Sequence, residues 1–304
     1  MNGMHRIAVT VIGGFLGAGK TTLLNHWLRA VSGKRVMVLV NDFGALNIDA
    51  ELIAALQGDT IALTNGCICC QMGGDLSQAL IRILDNPEPP DEVWIEASGV
   101  SDPGHIARLV RAAPELELRG VIVLVDSLAI ASQLQNPMLR ETLVAQIEAA
   151  DCLLLSKTDV AHSDQVEQAQ ACLHPLNPHV LYLQSDECGV MAAQLKDMRI
   201  FSLEPKPSMQ LAGHDRRFTA WLGHPTITLS VHEWHWRLST LPEEVLRLKG
   251  FVRSREHGWS SVQLAGSCVH IEPHEAPAQG RESLVAIALR GHLPRQALEG
   301  LLDA

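Results

Sequence analysis

Through the first two thirds of the chain, short and mostly apolar runs alternate with longer stretches in which apolar residues recur every three to four positions. The runs Ile7–Ile12, Val36–Val40, Glu92–Glu96, Val121–Val125, Leu153–Leu155 and Val180–Leu183 have strand length. Strands apolar on both sides belong in a parallel sheet covered on both faces. Between them, Thr21–Ala30, Asp75–Leu84, Pro103–Ala112, Glu141–Ala149 and Asp164–Leu173 carry helical periodicity. Alternating strand and helix predict an α/β domain with a doubly wound, mostly parallel sheet and right-handed crossovers.

The pattern breaks at Glu204-Pro205-Lys206-Pro207-Ser208 and stays polar to Arg217, which predicts a linker over 204–217 after a first domain over 1–203. Beyond it, Thr226–Val231, Ser260–Leu264 and Val285–Leu289 read as strands. Leu241-Pro242-Glu243-Glu244-Val245 and Leu293-Pro294-Arg295-Gln296-Ala297 read as helix starts with Pro at the first helical position. A smaller α+β domain is therefore expected over 218–304.

Composition narrows the classes. With 304 residues, 47% hydrophobic and 19% charged, the chain is an ordinary globular protein, not a collagenous or low-complexity one. No apolar run approaches the roughly 18 residues that cross a bilayer, and Met1–Arg6 leads into no signal-peptide pattern, so a cytoplasmic protein without a membrane partner is expected. A net charge of −10 argues against nucleic-acid binding and points to cations, while leaving room for one local phosphate site. Seven cysteines cannot close a disulfide framework, and three of them crowd into Cys67-Ile68-Cys69-Cys70. The 14 histidines are dispersed, with no tract of the metal-storage kind.

The most specific motif is Gly14-Phe15-Leu16-Gly17-Ala18-Gly19-Lys20-Thr21, which fits G-x-x-x-x-G-K-[ST], follows a predicted strand and opens the helix TTLLNHWL. Its glycines let backbone N–H groups of Gly14, Gly17, Ala18, Gly19 and the Lys20–Thr22 turn converge on phosphate oxygens, and Lys20 reaches the β- and γ-phosphates. The Thr21 hydroxyl is the expected Mg²⁺ ligand. Ser156-Lys157-Thr158-Asp159 follows a late apolar strand with the [NST]-K-x-D shape; the Asp159 carboxylate would accept from the paired N–H donors of guanine, which adenine lacks. Glu96-Ala97-Ser98-Gly99 ends another strand, where P-loop enzymes keep an acid near Mg²⁺ and a Gly whose N–H meets the γ-phosphate, so Glu96 and Gly99 join Lys20 and Thr21 as catalytic candidates. Asp42, in Asn41-Asp42-Phe43-Gly44, is the acid of a candidate first switch and a third Mg²⁺ candidate.

Cys67 and Cys69 project to one side of an extended segment and can share a soft ion, with Cys70 brought in by a local bend. Zn²⁺ suits such thiolates; Co²⁺ and Cu⁺ stay open, with a redox pair or a chance grouping in a buried strand as the alternatives to metal. His232 and His235, and the group His270, Glu272 and His274, are a weaker second metal candidate against an ordinary surface role.

Taken together, GFLGAGKTT at 14–22, NDFG at 41–44, TNGCICC at 64–70, EASGVSDP at 96–103 and SKTD at 156–159 resemble the CobW-type GTPases, the G3E family of nucleotide-dependent metallochaperones. LPEEVLRLKGFV at 241–252 looks like the start of that family's C-terminal domain. The resemblance implies a P-loop GTPase that binds Zn²⁺ or a related ion at Cys67, Cys69 and Cys70 and couples nucleotide state to delivery into a client metalloprotein, often as a homodimer. Two departures stand out: Ala45 replaces a Glu that many relatives carry after NDFG, and the long His-rich run of some members is missing. Single-ion handling is thus expected. Mg·GTP would order the Asn41–Ile48 and Glu96–Asp102 segments and alter the grip of the intervening cysteines. No Gln stands in EASG to orient water, so slow turnover is expected, with Glu96 or Asp49 as water-positioning candidates. The rivals are an ATP-dependent small-molecule kinase, in which SKTD is only a turn, and a zinc-responsive module that binds GTP without hydrolysing it.

Overall fold

The computed structural model describes residues 6–31, 33–40, 59–62, 76, 79–184, 218–266, 268–277 and 280–303. They form two sheets. The first has seven parallel strands: β1 (Ile7–Gly14), β2 (Val36–Val40), β3 (Asp59–Ala62), β4 (Glu92–Glu96), β5 (Leu116–Asp126), β6 (Cys152–Ser156) and β7 (Leu181–Gln184), in the order β3-β2-β4-β1-β5-β6-β7. After β1 the chain builds one half of the sheet, then crosses to build the other, so β1 lies at the point where the strand order reverses. In open α/β sheets that is where ligands bind, outside the carboxyl ends of the strands.

Both faces of this sheet are covered, as the apolar runs require. Val38, Val40, Trp94, Ile122 and Leu124 pack toward helix α1 (Lys20–Ala30), whose Trp27 meets Trp94 edge to face at 5.4 Å. Val9, Val11, Leu39, Ile95 and Val123 pack the other way, onto α2 (Pro103–Ala112), α3 (Ile130–Gln135), α4 (Pro137–Ala149) and α5 (Ser163–Leu173). Two helix starts use the expected chemistry: Asn136 and Asp102 accept from the backbone N–H two residues on, with Pro at the first helical position.

The second sheet is antiparallel in its main path: β8 (Phe218–Gly223), β10 (Val245–Ser254), β11 (Gly258–Ala265), β12 (Cys268–Pro273) and β13 (Ser283–Leu289), ordered β12-β11-β10-β13-β8, with β9 (Thr228–Leu229) beside β10. Helix α6 (Val231–Ser239) covers one face through the fully buried Trp234 and Leu238, and a short α7 (Arg295–Glu299) closes the chain. Among the described residues no helix is long and apolar enough to cross a membrane.

Two expectations fail here. The helix start predicted at 241–245 is a turn, closed by Val245 N–H donating to Pro242 O at 3.0 Å, and it leads into β10. Pro242 is the first residue of that turn, where its carbonyl accepts and its missing N–H costs nothing, and Leu246-Arg247-Leu248-Lys249 then alternates apolar and charged residues with the period of a strand. The strand predicted over Thr226–Val231 shrinks to two residues because Ser230 and Glu233 form a reciprocal capping box that starts α6. β3, α3, β8, α6, β10 and β12 have no counterpart in the sequence reading, and the proposed linker over 204–217 lies outside the described residues.

Candidate functional site

The candidate residues gather along one edge of the parallel sheet because β1, β4 and β6 all point their carboxyl ends to it. β1 ends in the P-loop. Gly14, Gly17 and Gly19 have φ of +134°, +79° and +96°, a region that favours glycine. A Cβ on Gly14 would lie 2.5 Å from the carbonyl oxygen of Leu124, so that position is closed to a side chain twice over. α1 begins at Lys20, and the 5% exposed Lys20 ammonium donates to Gly14 O at 2.9 Å and Phe15 O at 3.3 Å. The loop thus holds its cation inside its own curve, where phosphate oxygens would compete with those two carbonyls for it. Thr22 is exposed on the first turn, and Ala18 is buried.

Beside it, the Thr21 hydroxyl donates to Glu96 Oε1 at 3.3 Å across the β1–β4 pair, and Glu96 is 2% exposed. A hydroxyl and a buried carboxylate at this distance are the oxygen donors a Mg²⁺ ion takes, so this pair fits the ion the motif implies. Gly99 is pressed against the loop: a Cβ there would come within 2.5 Å of Leu16 Cδ2. The Gln146 side-chain amide of α4 donates to Gly99 O at 3.1 Å and Ser101 O at 2.9 Å, holding the backbone after β4 in place. Farther along EASGVSDP, Ser101 Oγ donates to Ser98 O, and Asp102 caps α2 by accepting from Gly104 N–H at 2.7 Å. The end of that motif is a helix start.

The third corner is Ser156–Asp159 after β6. Lys157 has φ +61°, and it is the one non-glycine with positive φ among the described residues. Such a conformation costs roughly 1–3 kcal/mol and persists only where the surroundings enforce it. Here the Lys157 ammonium donates to Asp126 Oδ2 at 2.6 Å, from the end of β5. Ser127 Oγ donates to Ser156 O at 2.8 Å, and Ser156 Oγ donates to Val125 O at 3.2 Å. These bonds tie the two strand ends together and leave Asp159 exposed at the edge.

Asp42, Asp49, Cys67, Cys69 and Cys70 lie outside the described residues. Of the other thiols, Cys152 is buried in β6, and desolvation, with Asp151 adding to it, pushes its pKa up to about 12; it is an inert core residue. The second metal candidate does not assemble: among the described residues no group of three His, Cys, Asp or Glu could hold an ion. His270 Nε2 lies 2.8 Å from Glu272 Oε1, while His274 turns to the ring of Phe251.

Asp126, Ser127 and Gln146 were missed in the sequence. Asp126 was findable as the acid ending an apolar strand of the same kind as Glu96. Gln146, 2% exposed on the apolar side of α4, carries a weaker signal.

The family model for the CobW/HypB/UreG nucleotide-binding domain matches residues 8–184, which takes in all three corners of this edge. The chain belongs to the CobW/HypB/UreG family. A second model, the cobalamin synthesis protein cobW C-terminal domain, matches residues 212–304, so LPEEVLRLKGFV lies within that domain instead of opening it. The chain is 40% identical over 166 residues to the zinc chaperone YjiA of Escherichia coli, covering 52% of this chain and 51% of that one. It is 33% identical over 184 residues to the zinc chaperone CobW of a Sinorhizobium species, with 51% and 52% covered. It is 32% identical over 183 residues to zinc-regulated GTPase metalloprotein activator 1 of Schizosaccharomyces pombe, with 56% and 44% covered. The chain spans about half the length of the curated relatives it matches. Among solved structures, a Zn(II)-bound triple mutant of the YjiA GTPase shares the fold at a TM-score of 0.50 and 24% identity, over 98% of this chain and 99% of that one.

Proposed function

We propose that this protein is a GTP-hydrolysing zinc chaperone that loads a client metalloprotein. The observation that carries the reading is the convergence, on one sheet edge, of the P-loop, the Thr21–Glu96 pair and the strained Lys157 beside Asp159. In this reading Gly14, Gly17, Ala18, Gly19, Lys20, Thr21 and Thr22 cradle the phosphates, and Ser156, Lys157 and Asp159 select guanine. Lys20 leaves the Gly14 and Phe15 carbonyls for the phosphate oxygens. Thr21 and Glu96, with Asp42, would hold Mg²⁺, which supplies charge neutralisation at the phosphates. Water attacks the γ-phosphorus and the bond to the β–γ bridging oxygen breaks. Because phosphoryl transfer needs mainly positioning and charge, the backbone N–H groups, Lys20 and Gly99 carry most of the stabilisation.

Zn²⁺ is the cargo, held by Cys67, Cys69 and Cys70, with Co²⁺ as a related ion of the same site. The names of the relatives support the metal and the client: two are zinc chaperones and one is a zinc-regulated metalloprotein activator.

Phosphate release with GTP and with ATP, with and without Zn²⁺, on wild type and Lys20→Ala tests the enzymatic half. The expected result is slow, Lys20-dependent release from GTP that excess ATP does not inhibit. Equal inhibition by ATP would overturn guanine selection in favour of a kinase-like site. No release in the presence of zinc would leave a non-hydrolysing GTP-binding module.

A further inference from the structure

Ala97 N–H donates to Ile12 O at 2.8 Å, so the β1–β4 pairing runs one residue past the end of β4. The turn that follows is tied down by its own bonds. Ser98 O accepts from the Ser101 N–H at 3.1 Å and from the Ser101 hydroxyl at 3.0 Å, and the Gln146 amide takes Gly99 O and Ser101 O. Gly99 lies against the P-loop, where an added Cβ would come 3.0 Å from the Leu16 backbone nitrogen as well as 2.5 Å from Leu16 Cδ2. The second sheet steadies the same loop: a Cβ on Gly17 would lie 2.5 Å from the Cβ of Ala265, the last residue of β11. Turn and P-loop are thus fixed against each other.

One group in this turn is left over. Ser98 is 6% exposed, and among the described residues its Oγ has no hydrogen-bond partner. A buried hydroxyl without a partner has given up its bonds to water for nothing, and such a group in a folded protein calls for an explanation. Its direction supplies one. Along β4 the side chains alternate: Trp94 and Glu96 turn to the α1 side, where Glu96 accepts from Thr21, while Val93, Ile95 and Ala97 enter the opposite core. The same alternation, carried on by the Ala97 bond, returns Ser98 to the side of Thr21. Ser98 therefore stands between the Thr21–Glu96 pair and the contact of Gly99 on Leu16.

We propose that Ser98 is a specificity-determining residue for the γ-phosphate: its hydroxyl donates to a γ-phosphate oxygen of GTP, whereas GDP offers it no partner. The proposal rests on the GTP-binding reading above and adds a residue to Lys20, Thr21, Glu96 and Gly99. The stiffness of the turn serves this role, because a donor already held in place needs no reordering when phosphate arrives. A hydroxyl kept for a ligand also has a signature that a structural one lacks: removing it costs the nucleotide-free fold nothing.

The test uses the full chain with Mg²⁺, fluorescent GDP and a non-hydrolysable GTP analogue, on wild type, Ser98→Ala, Ser98→Cys and Ser98→Thr, together with thermal melts of the nucleotide-free proteins. Ser98→Ala should weaken the analogue about tenfold while GDP affinity changes less than about twofold, the effect of losing one hydrogen bond to a charged group. Its nucleotide-free form should melt at or above the wild-type temperature. Ser98→Cys, close in shape but a weak donor, should follow Ser98→Ala, and Ser98→Thr, which keeps the hydroxyl, should hold the analogue within about threefold of wild type. An analogue-to-GDP ratio that stays within about twofold of wild type in folded Ser98→Ala and Ser98→Cys would overturn the proposal. So would an equal loss for both nucleotides with a lowered melting temperature, or failure of both variants to fold, since either makes the hydroxyl a structural group. A Ser98→Thr protein that melts like wild type yet discriminates as poorly as Ser98→Ala overturns it too. Wild type that binds no guanine nucleotide removes the functional reading and this inference together; unaffected variants of a binding wild type remove this inference only.

Discussion

The two sheets handle polar groups in opposite ways. In the parallel sheet the strands point their carboxyl ends to one edge, so the Thr21–Glu96 and Lys157–Asp126 pairs both form along it from segments far apart in sequence. The backbone there leaves the usual regions, with three P-loop glycines at positive φ, which glycine tolerates, and Lys157 at a positive φ that costs it strain. In the antiparallel sheet neighbouring strand ends point both ways, so polar residues disperse into local tasks: Ser230 and Glu233 cap α6, Arg253 meets Trp259 and Glu282, and Ser254 bonds Ser260. Parallel topology concentrates chemistry, and antiparallel topology gives a scaffold that can lean on it.

The comparison breaks first on core packing. Trp234→Ala empties a fully buried site and loses the indole N–H bond to Arg253 O, which should cost about 3–5 kcal/mol. Thermal melts should show that loss, while nucleotide affinity measured below the transition changes little; a comparable loss of affinity would mean that the scaffold and the site are one cooperative unit.

Gly14→Ala attacks the strained edge instead. Its Cβ would meet the Leu124 carbonyl at 2.5 Å in a conformation alanine avoids, so about 1–3 kcal/mol of stability should go, and nucleotide affinity should fall on the order of a hundredfold. Calorimetric titration with GDP checks it. Asp126→Asn is milder: it removes the anion that pins Lys157, costing about 1–2 kcal/mol for a partly exposed pair and roughly tenfold in guanine nucleotide affinity. Lys157→Gly is the sharper companion, because relief of the strained φ offsets the lost ion pair; stability should hold while affinity drops. Affinity unchanged in both variants would leave Ser156–Asp159 a structural turn.

The smallest effect belongs to the scaffold. Hydrogen bonds from the Ser230 backbone and side chain, with Arg255 and Arg237 nearby, hold the Glu233 carboxyl below its ordinary value of 4.5. A depressed carboxyl contributes stability above its unfolded pKa and loses it as pH falls through the folded one. The acid limb of a pH–stability curve below 4.5 should therefore flatten in Glu233→Gln, detectable in urea melts.

Much of this was legible in the sequence, for physical reasons. Apolar runs and helical periodicity fix the parallel sheet because each β–α unit buries itself locally; β2, β4 and α2 fall where the pattern puts them. The P-loop reads directly because its spacing is its geometry. What stayed hidden depends on partners distant in sequence. β10 carries the signals of a helix start and becomes a strand only because β11 and β13 flank it. The Lys157–Asp126 pair and the seating of Ala265 on Gly17 are properties of the assembled sheets.

In the proposed chaperone cycle, nucleotide state would set the grip of Cys67, Cys69 and Cys70 on zinc. A competition titration with a chromophoric chelator, on wild type and Cys69→Ser, in Mg·GDP and in Mg with a non-hydrolysable GTP analogue, tests it most directly. Zinc affinity that differs between the two nucleotides and collapses in Cys69→Ser is the predicted result. Equal affinity in both states, or zinc binding indifferent to Cys69, would contradict it.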